Sequence, residues 1–181
     1  MSEKNNRVLK TENLLLKELD ISDVTEDYVA WLNDEEINQF LQVKNQKQTL
    51  KTTRDYVQSL KESEHNFLFG IFEKKNNRHI GNIRLTIKHP IDKVANIGIL
   101  IGEKNSHGKG YAKEAILKVT EFGFKKLNLK RIEAGFYENN DSGINSFLKC
   151  GYEIDGILKS YWIHNNKRVA RILASVLNDK S

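Results

Sequence analysis

The stretch "NIGILIGEKNSHGKGYAKEA" (residues 96–115) sets an apolar run against two glycines, Gly108 and Gly110, and then a run with helical spacing. Glycine serves where backbone must turn tightly or approach another group closely. A strand-to-helix turn needs the first property. A phosphate cradle needs the second, because a helix N-terminus presents unpaired N–H groups and the positive end of the helix dipole. Gly108 and Gly110 lie in the last turn before the helix, and Ala112 is small enough to leave room there for a pyrophosphate. The pattern lacks the third glycine and the later acidic residue of the dinucleotide fingerprint, and it is not followed by the Gly-Lys-Ser/Thr of a P-loop.

Outward from this turn the chain reads as a mixed sheet with helices. "KVANIGILIG" (93–102) is an apolar strand expected to be buried on both faces. Residues 109–127 form the best helix, with Ala112, Ala115, Ile116, Val119, Phe122 and Gly123 inward. "KRIEAGFYE" (130–138) is the next strand, so this strand–helix–strand unit demands a parallel pair. Upstream, "NFLFGIFE" (66–73) and "HIGNIRLTIK" (79–88) flank a hairpin turn. Before them come a strand at 13–19 and two helices. One is capped by Ser22, with Val24, Tyr28, Trp31 and Leu32 at helical spacing; the other is capped by Thr49, with Leu50, Tyr56, Val57 and Leu60 inward. Downstream, a short helix (141–151) ends on a glycine, and a hairpin closes the chain. The order β-α-α-β-β-β-α-β-α-β-β predicts an α+β or α/β domain.

A length of 181 residues is expected to make one domain, 1–181, with a sizeable core. Hydrophobic residues at 39% and charged residues at 29% fit an ordinary globular protein. A lone Cys150 excludes an intrachain disulfide or a multi-cysteine metal site, and the five histidines are scattered, so no metal is expected. Cysteine usage suits a reducing cytoplasm. "MSEKNNRVLK" lacks the apolar core of a signal peptide, and no apolar run approaches the roughly 20 residues of a membrane span. The net charge of +5 suits an anionic small molecule, a nucleic acid or an acidic protein face. The lysines are scattered, however, and no nucleic-acid signature is present, which leaves a nucleic-acid-binding module as the weaker alternative.

Residues 97–116 resemble the acetyl-CoA signature of the GNAT N-acetyltransferase superfamily, Arg/Gln-x-x-Gly-x-Gly/Ala, which lands on His107, Gly108, Lys109, Gly110, Tyr111 and Ala112. His107 departs from the Arg/Gln position. "NDSGINSFLKCGYEIDG" (140–156) resembles the second cofactor segment of the same family, with Asn140, Gly143, Lys149, Gly151 and Tyr152 at its marked positions. "GILIG…GKGYAKEA" is closest to the ribosomal-protein alanine acetyltransferase branch, the RimJ/RimL-like proteins.

The resemblance implies a central, mostly antiparallel sheet with one splayed parallel strand pair, flanked by helices. It implies acetyl-CoA as co-substrate. The backbone of Ile99, Leu100 and Ile101 would hold the pantetheine arm in the manner of an added strand, with the Leu100 N–H stabilising the oxyanion. The amides from His107 to Ala112 would bind pyrophosphate, with charge from Lys109 and Lys113. Asn140 would meet the pantetheine region; read from the residues alone, it serves equally as an N-cap of the helix at Asp141.

Many family members return a proton to the leaving thiolate from a Tyr at the position held here by Phe147, which has no hydroxyl. Ser146, Tyr137, Ser142 or water are the replacements. Glu133, His89, Glu138 and Asp155 are bases by type only. Without a strong base the acceptor should be an amine of low pKa. An α-amine near pKa 8 is roughly a tenth neutral at pH 7, whereas a lysine near 10.4 is neutral in less than about one part in a thousand. A protein N-terminal α-amine or an amino sugar is therefore the expected acceptor.

Its contacts should come from the first helices and the last hairpin. Trp31, Asn33 and Lys44 are the chief candidates, beside Phe40, Gln46, Tyr161 and Trp162, with Lys44, Lys47 and Arg54 suited to a diphosphate. The other reading is a non-catalytic acetyl-CoA-binding domain. Neither a membrane nor a nucleic acid is an expected partner, and the family includes monomers and homodimers.

Overall fold

The computed structural model describes residues 7–178. The start of the stretch read above for a signal peptide, and both ends of the expected 1–181 domain, lie outside the described residues.

The elements are β1 (Val8–Lys10), β2 (Leu14–Glu18), α1 (Glu26–Asn33), α2 (Glu35–Asn38), α3 (Leu50–Glu62), β3 (Asn66–Glu73), β4 (His79–His89), β5 (Val94–Ile101), α4 (Tyr111–Lys126), β6 (Arg131–Tyr137), α5 (Asp141–Leu148), β7 (Glu153–His164) and β8 (Lys167–Leu177). The eight strands form one sheet in the order β1-β2-β3-β4-β5-β6-β8-β7. Every neighbouring pair is antiparallel except β5–β6. The fold is α+β, a mixed and mostly antiparallel sheet with helices on both faces.

β3 shows why the faces are covered. Phe67, Phe69 and Ile71 point into a core built with Ala115, Ile116, Val119 and Phe122 of α4, and Phe122 meets Phe67 and Phe69 edge-on at 5.5 and 5.6 Å. Leu68 and Phe72 point the other way, against Tyr28, Val29 and Trp31 of α1 and Val57 of α3. Each fully buried side chain of this size contributes about 1.5–3 kcal/mol relative to exposure.

Four local expectations change. β1 is an added edge strand, too short for a sequence pattern to show. The first helix starts later than Ser22: Thr25 is its N-cap and accepts from the Tyr28 amide, while Ile21–Asp23 forms a 3₁₀ turn. Tyr56 faces outward, 40% exposed, because the inner stripe of α3 runs through Thr53 and Val57; its hydroxyl accepts from Arg84. β5 is not buried on both faces. Ala95 and Ile97 are buried, but Gly98 is exposed and Ile99, Leu100 and Ile101 are half-buried.

The cause is a splay in the sheet. β5 and β6 pair only at Val94–Arg131, Ala95–Ile132 and Asn96–Glu133, where Asn96 Nδ2 donates to the Glu133 carbonyl at 3.1 Å. Beyond that point β5 stays on β4 as far as Ile101–Gly81, and β6 stays on β8 as far as Tyr137–Arg171. The two inner strands therefore diverge, leaving the facing backbone of residues 97–101 and 134–137 without a ladder between them.

Candidate functional site

The gap opens toward the glycine turn. After β5, the amides of Gly102 and Glu103 both donate to the Ile80 carbonyl, and a 3₁₀ turn over Lys104–Ser106 leads to His107. The His107 ring donates from Nε2 to the Ile101 carbonyl at 2.9 Å, which ties the turn back to the end of β5. Gly108 and Gly110 have φ of 74° and 80°, and a Cβ at either would meet nothing within 4 Å. Both glycines thus adopt left-handed backbone and face open space, as an anion cradle requires. Gly110 is the N-cap of α4 with no capping side chain. Among the described residues, the amides of Gly108, Lys109, Gly110, Tyr111, Ala112 and Lys113 have no acceptor. Lys109 and Lys113 are exposed on the same turn. The cradle fits a pyrophosphate.

A buried carboxylate also anchors that backbone. Glu73, at the end of β3, is only 4% exposed. Its carboxylate accepts from Ser106 Oγ at 3.5 Å, from Asn76 Nδ2 at 3.2 Å and from the Tyr111 hydroxyl, with Lys75 Nζ at 3.6 Å. Burial alone would raise its pKa; the bonds from Asn76 and Tyr111 and the charges of Lys75 and Lys109 outweigh it and hold the carboxyl below its ordinary value. Glu73 therefore clamps both ends of the glycine turn, at Ser106 and Tyr111.

α5 lies on the same side as α4. Asn140 is its N-cap, with Oδ1 accepting from the Gly143 amide at 3.0 Å. Phe147 is 2% exposed and packs edge-on against Phe136 and Tyr152 at 5.1 and 5.0 Å. Ser146 donates to the Ser142 carbonyl of its own helix at 2.8 Å. Burial pushes the Cys150 thiol up to about 11, so it is a packed group and no nucleophile. Glu133 and Asp155 are both paired with Arg131, at 2.7 and 2.6 Å.

The opposite face of β6 carries a different kind of site, assembled from side chains. Tyr137, 6% exposed, stacks on Trp162 with ring centres 4.4 Å apart. Phe40 packs against Tyr137 and lies parallel to His164 at 5.3 Å. Lys44 Nζ sits 4.7 Å from the Tyr137 ring centre, 3.2 Å from His164 Nδ1 and 3.5 Å from the Ile163 carbonyl. Burial and the Lys44 charge hold the His164 pKa below its ordinary value, against a bond to the Gln39 backbone. His164 is thus neutral at pH 7, and its Nδ1 accepts from the Lys44 ammonium.

The hairpin reaches this arrangement through a bulge. Register jumps between Leu158–Arg171 and Trp162–Val169, and Ser160 takes φ of 53°. Such an insertion re-aims the side chains beside it. A polar cavity of about 470 Å³ adjoins, lined by Asn33, Glu35, Asn38, Lys44, Gln46 and Lys47. Asn33 shapes its wall by bonding the Gln48 amide and carbonyl. Trp31 lies inside the second core, 8% exposed, with its ring against the Gly102 backbone and edge-on to His79 at 5.1 Å.

A splayed parallel pair, a glycine-capped helix at its mouth and a second helix capped by Asn140 form the frame. A family model described as "Acetyltransferase (GNAT) domain" matches residues 13–153. The chain belongs to the GNAT acetyltransferase family. This GNAT chain is 29% identical over 157 residues to "Uncharacterized N-acetyltransferase p20" of Bacillus licheniformis, covering 84% of the chain and 86% of that relative.

Solved structures of other acetyltransferases share its fold. A spermidine N-acetyltransferase from Vibrio cholerae in complex with CoA and spermine superposes with a TM-score of 0.83 at 19% identity, over 93% of this chain and 97% of that one. RimL, described as a ribosomal L7/L12 α-N-protein acetyltransferase in complex with coenzyme A, superposes with a TM-score of 0.87 at 17% identity, over 97% and 100%. The chain is an acetyl-CoA-dependent N-acetyltransferase. Among the described residues, no group of three or more His, Cys, Asp or Glu is placed to hold a metal ion, and no helix is long and apolar enough to cross a membrane.

The structure brings Ile99, Leu100, Ile101 and residues 107–112 to one gap, and sets Tyr137 and Lys44 together on the face across β6. Ser146 and Asn140 lie apart from that face, on α5. Three residues of this region escaped the sequence reading, Glu73, His164 and Arg171. The signal was present: Trp162 and His164 alternate along one strand and so share a face, and Arg171 pairs with Tyr137.

Proposed function

We propose that this enzyme transfers the acetyl group to a primary amine by direct attack within a ternary complex. The acceptor amine, of low pKa, belongs to a protein N-terminus or an amino sugar. The observation that carries this reading is the end of the β5–β6 ladder at Asn96–Glu133, just before an uncapped glycine turn. Acetyl-CoA supplies the activated thioester.

The groups of β5 that face the gap, the backbone of Ile99 and the Ile101 N–H, satisfy the amides of the pantetheine arm. Leu100, expected to supply the oxyanion donor, instead turns its N–H to Asn82 of β4, because the Gly102 N–H donates to Ile80 and bonded pairs alternate along an antiparallel ladder. Gly108, Lys109, Gly110, Tyr111 and Ala112, with His107 bracing the turn, hold the pyrophosphate through backbone amides. Asn140 supports the second cofactor segment as a helix cap. The amine forms the new N–C bond, the C–S bond breaks, the nitrogen gives up its extra proton to solvent, and the thiolate takes a proton.

Tyr137 is our first choice for that proton. It sits at the end of the splayed strand, and burial raises its pKa, so it stays protonated at neutral pH. Ser146 ranks second because its hydrogen is committed to Ser142. Asn33 and Lys44 shape the acceptor entrance, and Trp31 braces it from beneath. We place the chain in the RimJ/RimL-like branch, which the motif "GILIG…GKGYAKEA" supports, and its activity in the cytoplasm, which suits its single buried thiol.

The test is a CoA-release assay with three acceptor pools: peptides with free Ser, Ala or Met N-termini, nucleotide-linked amino sugars, and polyamines. Turnover on either of the first two supports the reading, and turnover on polyamines alone overturns the acceptor class. Tyr137→Phe should lower kcat about 100-fold with little change in KM for acetyl-CoA.

A further inference from the structure

The face across β6 holds a cation that no carboxylate among the described residues neutralises. Arg171 leaves β8 opposite Tyr137, on the same side of the sheet, and lies across Gly135. A Cβ at residue 135 would stand 2.7 Å from both Nε and Nη2, so the guanidinium occupies a notch that only glycine provides. The guanidinium carbon lies over the Tyr161 and Trp162 rings, at 5.2 and 5.3 Å. Nη1 donates to the Tyr161 hydroxyl at 3.4 Å. Nε is buried with no acceptor, and no carboxylate pairs with Arg171 among the described residues. On the other side of the Tyr137–Trp162 stack, Lys44 is held among the described residues by His164, the Ile163 carbonyl and the Tyr137 ring, all without negative charge.

A buried charged donor without an acceptor is costly to keep, and a planar fork seated against aromatic rings is preorganised for carboxylate or phosphate. We infer that Arg171 is an acceptor-binding residue whose unneutralised guanidinium takes an oxyanion, so that the amine acetylated here belongs to a small molecule carrying a phosphate or a carboxylate. The inference rests on the acetyltransferase reading above and narrows its acceptor. The cavity of about 470 Å³ beside Lys44 falls within the usual small-ligand range of about 300–1,000 Å³. A polyamine would meet Lys44 and Lys47 beside a single carboxylate, Glu35, in that cavity, and Arg171 beyond it.

The experiment is calorimetry on protein saturated with CoA, which fills the cofactor cradle and permits no reaction. The probes are glucosamine 6-phosphate against glucosamine, serine against serinamide, and spermidine. The first pair reads phosphate and the second carboxylate. In at least one pair the anionic member should bind at least about tenfold more tightly than its neutral twin. Arg171→Gln should erase that preference, and Arg171→Lys should restore only part of it, because a point charge lacks the fork. Gly135→Ala keeps the charge but fills the notch, and it should also weaken the preference.

Equal affinity within both pairs, absence of binding by all four, tighter binding of spermidine, or a preference that survives Arg171→Gln would each overturn the inference. The CoA titration that precedes each run tests the parent reading separately. Failure to bind CoA removes that reading, whereas normal CoA binding without anion preference removes only this inference.

Discussion

The two ends of the site recognise their ligands by different means. The glycine turn works through backbone: its amides from Gly108 to Lys113 face outward, and a single carboxylate, Glu73, steadies it. The hairpin end works through side chains drawn from distant parts of the chain, with Lys44 from the loop after α2, Tyr137 from β6, Trp162 and His164 from β7 and Arg171 from β8. A backbone site depends on local conformation and so on few residue types. A side-chain site depends on topology, and any one member can change while the sheet remains.

The largest expected effect breaks the first region alone. Gly110→Asp forces a side chain into left-handed backbone, which costs about 1–2 kcal/mol, and sets a negative charge at the helix N-terminus. The Kd for CoA should rise about 100-fold or more, while the near-ultraviolet circular dichroism of the Tyr137–Trp162 stack stays unchanged. A changed aromatic signal would mean that the two regions are not independent.

Phe147→Tyr comes next. Its hydroxyl would enter the packing of Phe136 and Tyr152 without a partner, costing about 1–3 kcal/mol in urea unfolding while CoA affinity holds. A large loss of CoA affinity would show that α5 reaches into the cradle.

Glu73→Gln probes the buried carboxylate on which the backbone cradle leans. A rise in the CoA Kd of about three- to fivefold is expected by calorimetry, from the loss of roughly 1 kcal/mol of positioning. The folded carboxyl lies below its ordinary 4.5, so its contribution to stability is complete above that pH and is lost as pH falls through the folded value. The variant should therefore lose less stability on acidification, read from melting temperatures across pH 3–6.

The smallest effect lies at the hairpin. His164 is held below its ordinary 6.5, so the unfolded chain binds more protons as pH drops under 6.5 and stability falls. His164→Gln should flatten that slope between about pH 6.5 and 5. His79, also held down by burial, contributes to the slope that remains.

How legible each region was follows from the same contrast. The cradle could be read because left-handed backbone at a helix start leaves a glycine pattern, and its Thr49-capped and hairpin neighbours carry similarly local signals. Phe147 could be read as a lost hydroxyl, but its place in the core could not, since burial depends on what Phe136 and Tyr152 bring. The apolar run in β5 suggested two covered faces; the splay, which no local pattern encodes, left its end half-open. Arg171 resembled any strand arginine until its pairing with Tyr137 and the notch at Gly135 were seen.

The bulge at Ser160 has an evolutionary consequence. Between Leu158 and Trp162, β7 spends three residues where β8 spends only Ala170. Deleting or adding a residue there would swing Tyr161 and Trp162 to new directions while β5, the glycine turn and α4 kept their places. Insertions and deletions in this one hairpin can therefore supply lineages with new acceptor preferences at no cost to the shared donor, a route to divergence that point substitution in the cradle does not offer.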